Sequence, residues 1–472
     1  MVLFPLTLLA FILRLVSANQ SFWLDEGASL VLARLPLANL FAALAGDFHP
    51  PLFYLLLHYW LPALRSLGEV GIRLPNIIFG AASVAVLYLL LKTVLSEEKN
   101  KLALAAAFLL AINPLHIYYS AELRMYSLST LLALLSWLYL AKAVREKSKK
   151  HRYWHFFVLI SLANFYTFYG AFFNLAAQWI YVLWQNRKHF KTFALCNLFL
   201  ALLFLPWLPT LVKQLTGSGY LATALPGWAA LSGNLSVKSL ALIMAKFTFG
   251  RISLANKSAY ALFVAGVSLY FFFCSLLAFT KKESRLFLAW FFAPLLVAIL
   301  VSFWAPVLGY WRYIFLIPPF VTIIVLGLNV LSGSSFYFNF LIVSLIFAFG
   351  NVVFWTSPQF GREDWRGAGK LISVDQSLSI VNFTDTFAPL KFYAPAVYYY
   401  PTQTTLGKIR PDLDQTLPLV LKDKKTVFVF DYLSDLTDRQ RQILRWLKQA
   451  GLKQKKIHDI NGVGFVYEFT AP

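Results

Sequence analysis

The feature that most constrains this chain is a series of eleven apolar runs, each near the length needed to cross a bilayer. A helix needs about 20 residues for this, because each residue adds about 1.5 Å. The runs cover residues 2–18, 73–95, 102–119, 125–144, 154–169, 171–186, 192–212, 258–279, 286–305, 313–331 and 336–356. Only 13% of the 472 residues are charged, against about 25% in soluble domains. The sequence therefore predicts an α-helical polytopic membrane protein with about eleven transmembrane helices.

The positively charged loops set the predicted orientation. Short basic segments join the apolar runs, namely "SEEKNK" at 96–101, "REKSKKHRYW" at 145–154, "QNRKHF" at 185–190 and "TKKESR" at 280–285. The positive-inside rule assigns them to the cytoplasm. Pro50–Leu64 is apolar but about fifteen residues long, so we interpret it, and likewise residues 237–250, as an interfacial helix on the outer side. This predicts a cytoplasmic N-terminus and an extracytoplasmic C-terminus in a cell membrane.

The same loops account for the net charge of +21. A soluble chain this basic would suggest nucleic acid as a partner. Here the basic residues lie between apolar runs, where membrane orientation and anionic lipid headgroups explain them. We therefore expect membrane lipids, and no nucleic acid, as partners.

The composition changes near Ser357. The segments "LSIVNFTDTF", "KKTVFVFDYL" and "GVGFVYEF" have the pattern of strands, and "LTDRQRQILRWLKQAG" has a helix cap, helical apolar spacing and a glycine stop. The sequence predicts a transmembrane domain at 1–356, including an outer loop at 19–72 with juxtamembrane helices. It also predicts a small extracytoplasmic α/β domain at 357–472.

Four polar clusters fall at the predicted outer ends of the spans. They comprise Asp25 and Glu26; Asp47 and His49; Glu122, Arg124 and Tyr126; and Tyr310, Arg312 and Tyr313, with Arg73 at the start of the second span. Charged groups at membrane depth are costly and are functional candidates by default. Each also has a structural explanation: a helix cap for the acidic pair, a turn before Pro50 for the second cluster, and snorkelling to headgroups for the arginines.

The combination of carboxylates and arginines on one side suits transfer from a lipid phosphate. A carboxylate at the membrane surface can take a proton from an acceptor hydroxyl. Arginines hold a phosphate through charge-assisted bonds and stabilise the charge that grows on a leaving phosphate. We therefore predict catalytic roles for Asp25 and Glu26 and substrate binding by the other cluster residues.

Five motifs in order resemble the C-type (GT-C) glycosyltransferases. They are "FWLDEG", "DFHPPLFYLLLHYW", "RLPN", "YYSAELRMYSL" and "YWRYIFLIPP", with "REDWRGAGKLI" at the start of the C-terminal domain. The nearest branch comprises the protein O-mannosyltransferases and aminoarabinose transferases, glycosyltransferase family 39. The resemblance implies a polyprenyl-phosphate sugar donor, an inverting transfer and a general base in the first outer loop, which matches Asp25 with Glu26 beside it.

The resemblance also implies a role in binding for the polar residues of the juxtamembrane stretch, here Asp47 and His49. Aminoarabinose transferases carry an acidic-basic pair before proline at this point, whereas this chain reads His-Pro-Pro. Their metal site is therefore not carried over. Asp47 and His49 could ligate a divalent cation, but two ligands do not define a site.

Two other functions compete with the enzyme. A transporter or flippase for a polyprenyl-linked glycan would place charges near the middle of spans, with broken helices and internal repeats. A sensor would use the outer α/β domain to bind a ligand, but that domain carries no recognisable ligand motif. The expected function is transfer of a sugar to an extracytoplasmic acceptor, which is a cell-envelope glycan, a lipid or a protein.

Overall fold

The computed structural model describes residues 2–146, 151–224, 232–331 and 333–470, so part of the basic loop at 145–154 lies outside the described residues. The chain divides into two compact units. The first contains Met1–Asn19, Phe41–Leu215 and Leu231–Thr356, and the second contains Gln20–Leu40, Thr216–Ala230 and Ser357–Pro472. The start of the outer loop thus groups with the C-terminal residues, a pairing that the predicted domain boundaries did not include.

The first unit is helical. Its α-helices are Leu3–Leu15, Leu52–Leu64, Gly68–Val94, Asn100–Ile112, Pro114–Ser120, Tyr126–Arg145, Arg152–Phe165, Gly170–Gln185, Phe190–Phe204, Val237–Phe249, Lys257–Phe279, Arg285–Val301, Ile317–Leu328 and Ser334–Thr356. Leu37–Leu44 and Leu208–Ala224 contain residues of both units. Short 3-10 helices cover Arg65–Leu67, Glu97–Lys99, Arg187–His189, Leu205–Trp207, Lys282–Ser284 and Tyr310–Leu316.

The described residues contain seven helical stretches long and apolar enough to cross a membrane, and an eighth if a bent pair counts as one span. They correspond to eight of the eleven predicted spans. The other three predicted spans form the helices Leu3–Leu15, Arg152–Phe165 and Gly170–Gln185, of 13, 14 and 16 residues. These are shorter than the roughly 20 residues that a perpendicular crossing needs. The polytopic helical fold is confirmed, whereas its orientation in the membrane stays a prediction.

The segment predicted to lie at the interface forms a separate helix. Leu52–Leu64 has 13 residues, and a 3-10 turn divides it from Gly68–Val94 within one apolar stretch of 43 residues. Gly68 joins the two with a φ of 63°, a conformation that glycine adopts without a Cβ penalty.

The bent pair consists of Glu97–Ile112 and Pro114–Ser120, which meet at 60°. Pro114 disfavours helical geometry at Asn113, which takes an extended conformation. The Asn113 side chain then accepts a hydrogen bond from the backbone N–H of His116 at 3.0 Å and caps the second helix. This break orients the segment that leads to Glu122 and Arg124.

The second unit contains a five-stranded sheet in the order β2-β1-β5-β7-β6 and a two-stranded sheet of β3 and β4. The strands are β1 Ser377–Val381, β2 Tyr398–Pro401, β3 Gln403–Thr405, β4 Lys408–Ile409, β5 Thr426–Phe430, β6 Lys453–Ile460 and β7 Gly464–Thr470. Strands β2, β1 and β5 are parallel, and β7 is antiparallel to both β5 and β6. The α-helices are Leu24–Ala33, Trp365–Ile372, Leu390–Tyr393, Leu413–Leu421, Ser434–Thr437 and Gln442–Gln449, and Pro358–Phe360 is a 3-10 helix. The predicted C-terminal α/β fold is confirmed.

Alternating residues of β1 and β5 cover both faces of the sheet. Val381 of β1 and Phe430 of β5 belong to one buried cluster, which also contains Trp365. Ile380 of β1 belongs to a second buried cluster. Leu24, from the first outer loop, packs against the Trp365 cluster. The loop that carries the acidic pair is therefore part of this unit's core packing.

Candidate active site

The acidic pair lies in the first turn of the helix Leu24–Ala33, where a helix N-terminus stabilises negative charge. Glu26 is fully buried. Its Oε2 accepts a hydrogen bond from the backbone N–H of Trp23 at 3.3 Å and lies 3.8 Å from Nη1 of the equally buried Arg362. Asp25 is half-buried. The geometry thus leaves Asp25 as the more accessible carboxyl group and favours an orienting role for Glu26.

Contacts within the second unit fix the turn that carries Asp25. The backbone N–H of Phe22 donates to the Tyr393 hydroxyl at 2.8 Å. Gly27 lies against Pro389 so closely that an added Cβ would be 2.5 Å from the proline nitrogen. A larger residue would not fit at position 27 without moving the helix, so the glycine of "FWLDEG" serves this close approach.

Asp47, His49 and Arg124 form a hydrogen-bonded chain in the first unit. His49 Nδ1 lies 3.2 Å from Asp47 Oδ2, and its Nε2 lies 3.1 Å from Arg124 Nη2. With its proton on Nδ1, His49 donates to Asp47 and accepts from Arg124. Arg124 Nη1 also donates to the Tyr54 hydroxyl at 3.4 Å. Burial opposes ionisation of Asp47, but His49 and Arg124 lower the pKa of its carboxyl to about 2.

This arrangement does not fit a divalent cation. Both ring nitrogens of His49 are engaged, and the Arg124 guanidinium repels positive charge at this point. The described residues contain no group of three or more His, Cys, Asp or Glu side chains that could hold a metal ion.

The turn that holds Glu122 and Arg124 is tied to the second predicted span. Asn76 is fully buried, and its side-chain amide donates to the backbone carbonyls of both residues, at 2.7 Å for Arg124. Asn76 is the last residue of the "RLPN" motif. The motif therefore positions the turn between the third and fourth spans, a role that its sequence did not reveal.

A second cationic cluster centres on Arg251. Arg251 is an exposed residue, and its guanidinium donates to the Tyr310 hydroxyl at 2.6 Å and lies 5.0 Å from the ring centroid of Tyr118. Glu122 also interacts with it electrostatically. Lys246 supports the turn, since its ammonium donates to the backbone carbonyl of Arg251 at 3.1 Å.

Lys246 is a buried cation just before this turn. It donates a second hydrogen bond, to the carbonyl of Ile252 at 2.9 Å. Burial, with a smaller effect of the Arg251 charge, lowers the pKa of Lys246 to about 7. Its two hydrogen bonds fix the backbone carbonyls of Arg251 and of the residue after it.

The remaining predicted site residues have mainly internal partners. Arg73 is fully buried and donates to the Ala18 carbonyl at 2.7 Å, which does not fit snorkelling to headgroups. Arg312 donates to the carbonyls of Ser232 and Pro306. Their geometry favours support of the site over direct contact with a substrate.

Two predicted tyrosines are also buried. The Tyr313 hydroxyl donates to the Val307 carbonyl at 2.9 Å. The Tyr126 ring packs edge-on against Tyr119 and Phe168. Both side chains therefore contribute mainly to packing around these span ends.

The predicted residues are divided between the two units. Asp25 and Glu26 lie in the second unit, and the nine predicted binding residues lie in the first. Arg251, Lys246, Tyr54 and Asn76 were not predicted. The signal for Arg251 was "FGRIS", a charged residue directly after the glycine that ends the 237–249 helix.

Comparison with known proteins gives a match to one family model. A family model described as dolichyl-phosphate-mannose-protein mannosyltransferase matches residues 48–212, a minority of the chain that begins beside His49. No curated protein sequence matches the chain significantly.

Solved structures show the fold. The chain resembles the oligosaccharyltransferase of Archaeoglobus fulgidus, solved with Zn and sulfate, with a TM-score of 0.56 and 14% identity over 99% of this chain and 73% of that chain. The same archaeal enzyme, AglB, solved with an inhibitory peptide and a dolichol-phosphate, matches with a TM-score of 0.55 and 12% identity over 92% and 69% of the two chains. The arabinofuranosyltransferase AftD from mycobacteria matches with a TM-score of 0.53 and 13% identity, over 100% of this chain and 40% of that chain.

Proposed function

We propose that this chain, which has the fold of the C-type (GT-C) glycosyltransferases that its sequence resembles, moves a sugar from a polyprenyl-phosphate donor to an extracytoplasmic acceptor. The acceptor is a cell-envelope glycan, a lipid or a protein. The related archaeal enzyme has been solved with a dolichol-phosphate, a polyprenyl phosphate, which supports this class of donor.

The observation that carries the proposal is the guanidinium of Arg251. A permanent positive charge held beside Tyr310 and Tyr118 is suited to the phosphate of a lipid-linked sugar. Arg124 adds a second guanidinium on the turn that Asn76 fixes. Such groups bind the ground state, and they bind the leaving phosphate more strongly as its negative charge grows.

The base in the proposed reaction is Asp25. The acceptor hydroxyl oxygen attacks the anomeric carbon as its proton passes to the Asp25 carboxylate, and the bond from that carbon to the phosphate oxygen breaks. The bonding electrons leave with polyprenyl phosphate, and the configuration at the anomeric carbon inverts. The buried Glu26–Arg362 pair keeps the turn in place during this step.

The proposed orientation puts both chemical groups outside the cytoplasm. The basic loops would face the cytoplasm, and the C-terminal α/β unit would lie outside with the acceptor. This orientation rests on the charge distribution alone, and it would require the sugar donor to be presented on the outer leaflet.

The test is transfer by the purified full-length protein in lipid vesicles. A panel of radiolabelled polyprenyl-phosphate sugars is supplied with crude envelope acceptors, and both labelled product and released polyprenyl phosphate are measured. We expect transfer by the wild type and a fall in turnover of about 100-fold or more for Asp25→Asn, the usual range for loss of a general base, with donor binding retained.

The control is Glu26→Gln, which should affect turnover less than Asp25→Asn if Glu26 only orients the turn. Near-normal turnover in a folded Asp25→Asn variant would remove Asp25 as the base. Movement of intact donor across the bilayer without cleavage would instead favour the transporter alternative.

A further inference from the structure

The motif "REDWRGAGKLI", at the start of the C-terminal segment, has no role in the reaction described so far. We propose that its glutamate, Glu363, is the positioning residue that holds the first turn of the Leu24–Ala33 helix and thereby aims Asp25. The inference rests on the proposed role of Asp25 as the base. It assigns to the small α/β unit the task of presenting that base.

Glu363 contacts the base-bearing helix directly. Its Oε2 accepts a hydrogen bond from the backbone N–H of Leu24 at 3.1 Å. Leu24 is the first residue of the helix and precedes Asp25 in the chain. The first N–H groups of a helix have no partner within the helix, so Glu363 supplies from a distant part of the sequence what a local cap would otherwise provide.

The same carboxylate is held by the core of the unit. Oε2 also accepts from the indole N–H of Trp365 at 2.6 Å, and Oε1 accepts from the Tyr432 hydroxyl at 2.8 Å. Trp365 is fully buried and packs edge-on against Tyr432, with ring centroids 4.9 Å apart. The Glu363 carboxylate therefore has one position, fixed by two rings of the core.

The backbone around Glu363 is fixed as well. The N–H of Asp364 donates to the Asn461 carbonyl at 2.9 Å. Gly462 has a φ of 72°, and an added Cβ there would lie 2.8 Å from the Glu363 Cα. The turn between β6 and β7 thus sets the position of Glu363, and a continuous set of contacts runs from the sheet through Glu363 to Leu24.

The electrostatics agree with this placement. Burial raises the pKa of Glu363 above its ordinary value, hydrogen bonds from Trp365, Tyr432 and Leu24 oppose the increase, and the Asp25 charge adds to it. The negative charge of Asp25 is therefore close enough to Glu363 to raise the pKa of its carboxyl. Since all three donors favour the charged form, the carboxylate is the form that can hold them together.

The test compares Glu363→Leu with Glu363→Gln in the full-length protein. Leucine removes both carboxylate oxygens, so the donors on Leu24, Trp365 and Tyr432 lose this acceptor. The glutamine carbonyl oxygen can still accept from Leu24 and Trp365, while the Tyr432 hydroxyl turns to accept from the amide. Tyr399→Phe is the control, because it removes one hydrogen bond of the same unit, to the Ala394 carbonyl at 2.7 Å, in which neither Glu363 nor Leu24 takes part.

We expect amide hydrogen exchange over residues 22–27 to be about 10-fold faster in Glu363→Leu, near wild type in Glu363→Gln, and unchanged in Tyr399→Phe. Exchange in β1 and β5 should not change in any variant. In the transfer assay, the leucine variant should lose about 10- to 100-fold in kcat with KM for the donor unchanged, and glutamine should restore most of it.

The exchange experiment needs no substrate, so its outcome is separate from that of the proposed function. Unchanged exchange over residues 22–27 in Glu363→Leu would overturn the inference. Equally faster exchange throughout β1 and β5 would overturn it too, since Glu363 would then support the whole unit. A parallel loss of donor affinity and kcat would also contradict a positioning role.

Discussion

Arg251 offers the sharpest test of donor binding. Arg251 is exposed, its guanidinium contacts the Tyr310 hydroxyl and the Tyr118 ring, and Glu122 interacts with it electrostatically. Replacement by glutamine removes the charge at similar length. Hydrogen bonds to a charged group contribute about 1.5–3 kcal/mol, and each 1.4 kcal/mol is a tenfold change, so Arg251→Gln should weaken binding of polyprenyl phosphate by about 10- to 150-fold.

Arg251→Lys separates charge from shape. Lysine keeps the charge but loses the planar fork that binds two phosphate oxygens. We expect a loss of affinity between those of wild type and Arg251→Gln. Tyr310→Phe removes the hydroxyl that orients the guanidinium but leaves its charge, so it should weaken binding less, by about 2- to 10-fold.

The assay is equilibrium binding of radiolabelled polyprenyl phosphate to the protein in lipid nanodiscs. The matched control is Arg187→Gln, which removes an exposed arginine whose Nε donates to the Leu183 carbonyl of the preceding helix. The control should bind as the wild type does. An Arg251→Gln variant with unchanged affinity would show that this guanidinium does not contact the phosphate and would remove the main support for the donor site.

Three further results are expected. The pKa of Asp47 is depressed in the folded state from 3.8 to about 2, so it stabilises the fold by about 2 kcal/mol above pH 4. This contribution is lost as pH falls from about 4 towards 2, and acid unfolding of Asp47→Asn should lack it. Glu26→Gln should destabilise the protein by about 1–3 kcal/mol because it removes the negative charge 3.8 Å from the buried Arg362 guanidinium, and adding Arg362→Met should recover part of the loss in chemical unfolding. A cysteine near Lys455 should react with a cell-impermeant reagent and one near Lys99 should not; the reverse pattern would invert the proposed orientation.

Local patterns in the sequence predicted much of the architecture. Apolar runs located the helices, the strand-like segment at 378–387 covers all but the first residue of β1, and the segment at 424–433 contains β5. The predicted helix after Leu436 begins at Gln442, where the Asp438 carboxylate accepts from the backbone N–H, and Gly451 follows its end with a φ of 86°. Each of these features depends on residues that are close to one another in the sequence, so a short segment was enough to predict it.

Contacts between distant residues could not be predicted in this way. Nothing in the periodicity of residues 20–40 indicates that they pack with a domain more than 300 positions later, and the predicted boundary therefore separated them. Arg73 illustrates the same limit. Its place at a span end suggested a surface role, but only its hydrogen bond to Ala18, 55 residues earlier, shows that it is internal.

The separation of Leu24 from Glu363 has a consequence for biogenesis. The two residues are 339 positions apart in the chain. At about 5–20 residues per second, the ribosome needs roughly 20–70 s to make the intervening segment. During that time the first spans can enter the membrane, but the turn with Asp25 lacks its contacts with the C-terminal segment of its own unit. If Asp25 is the base that we propose, the order of synthesis would delay activity until the C-terminal residues have been made and folded.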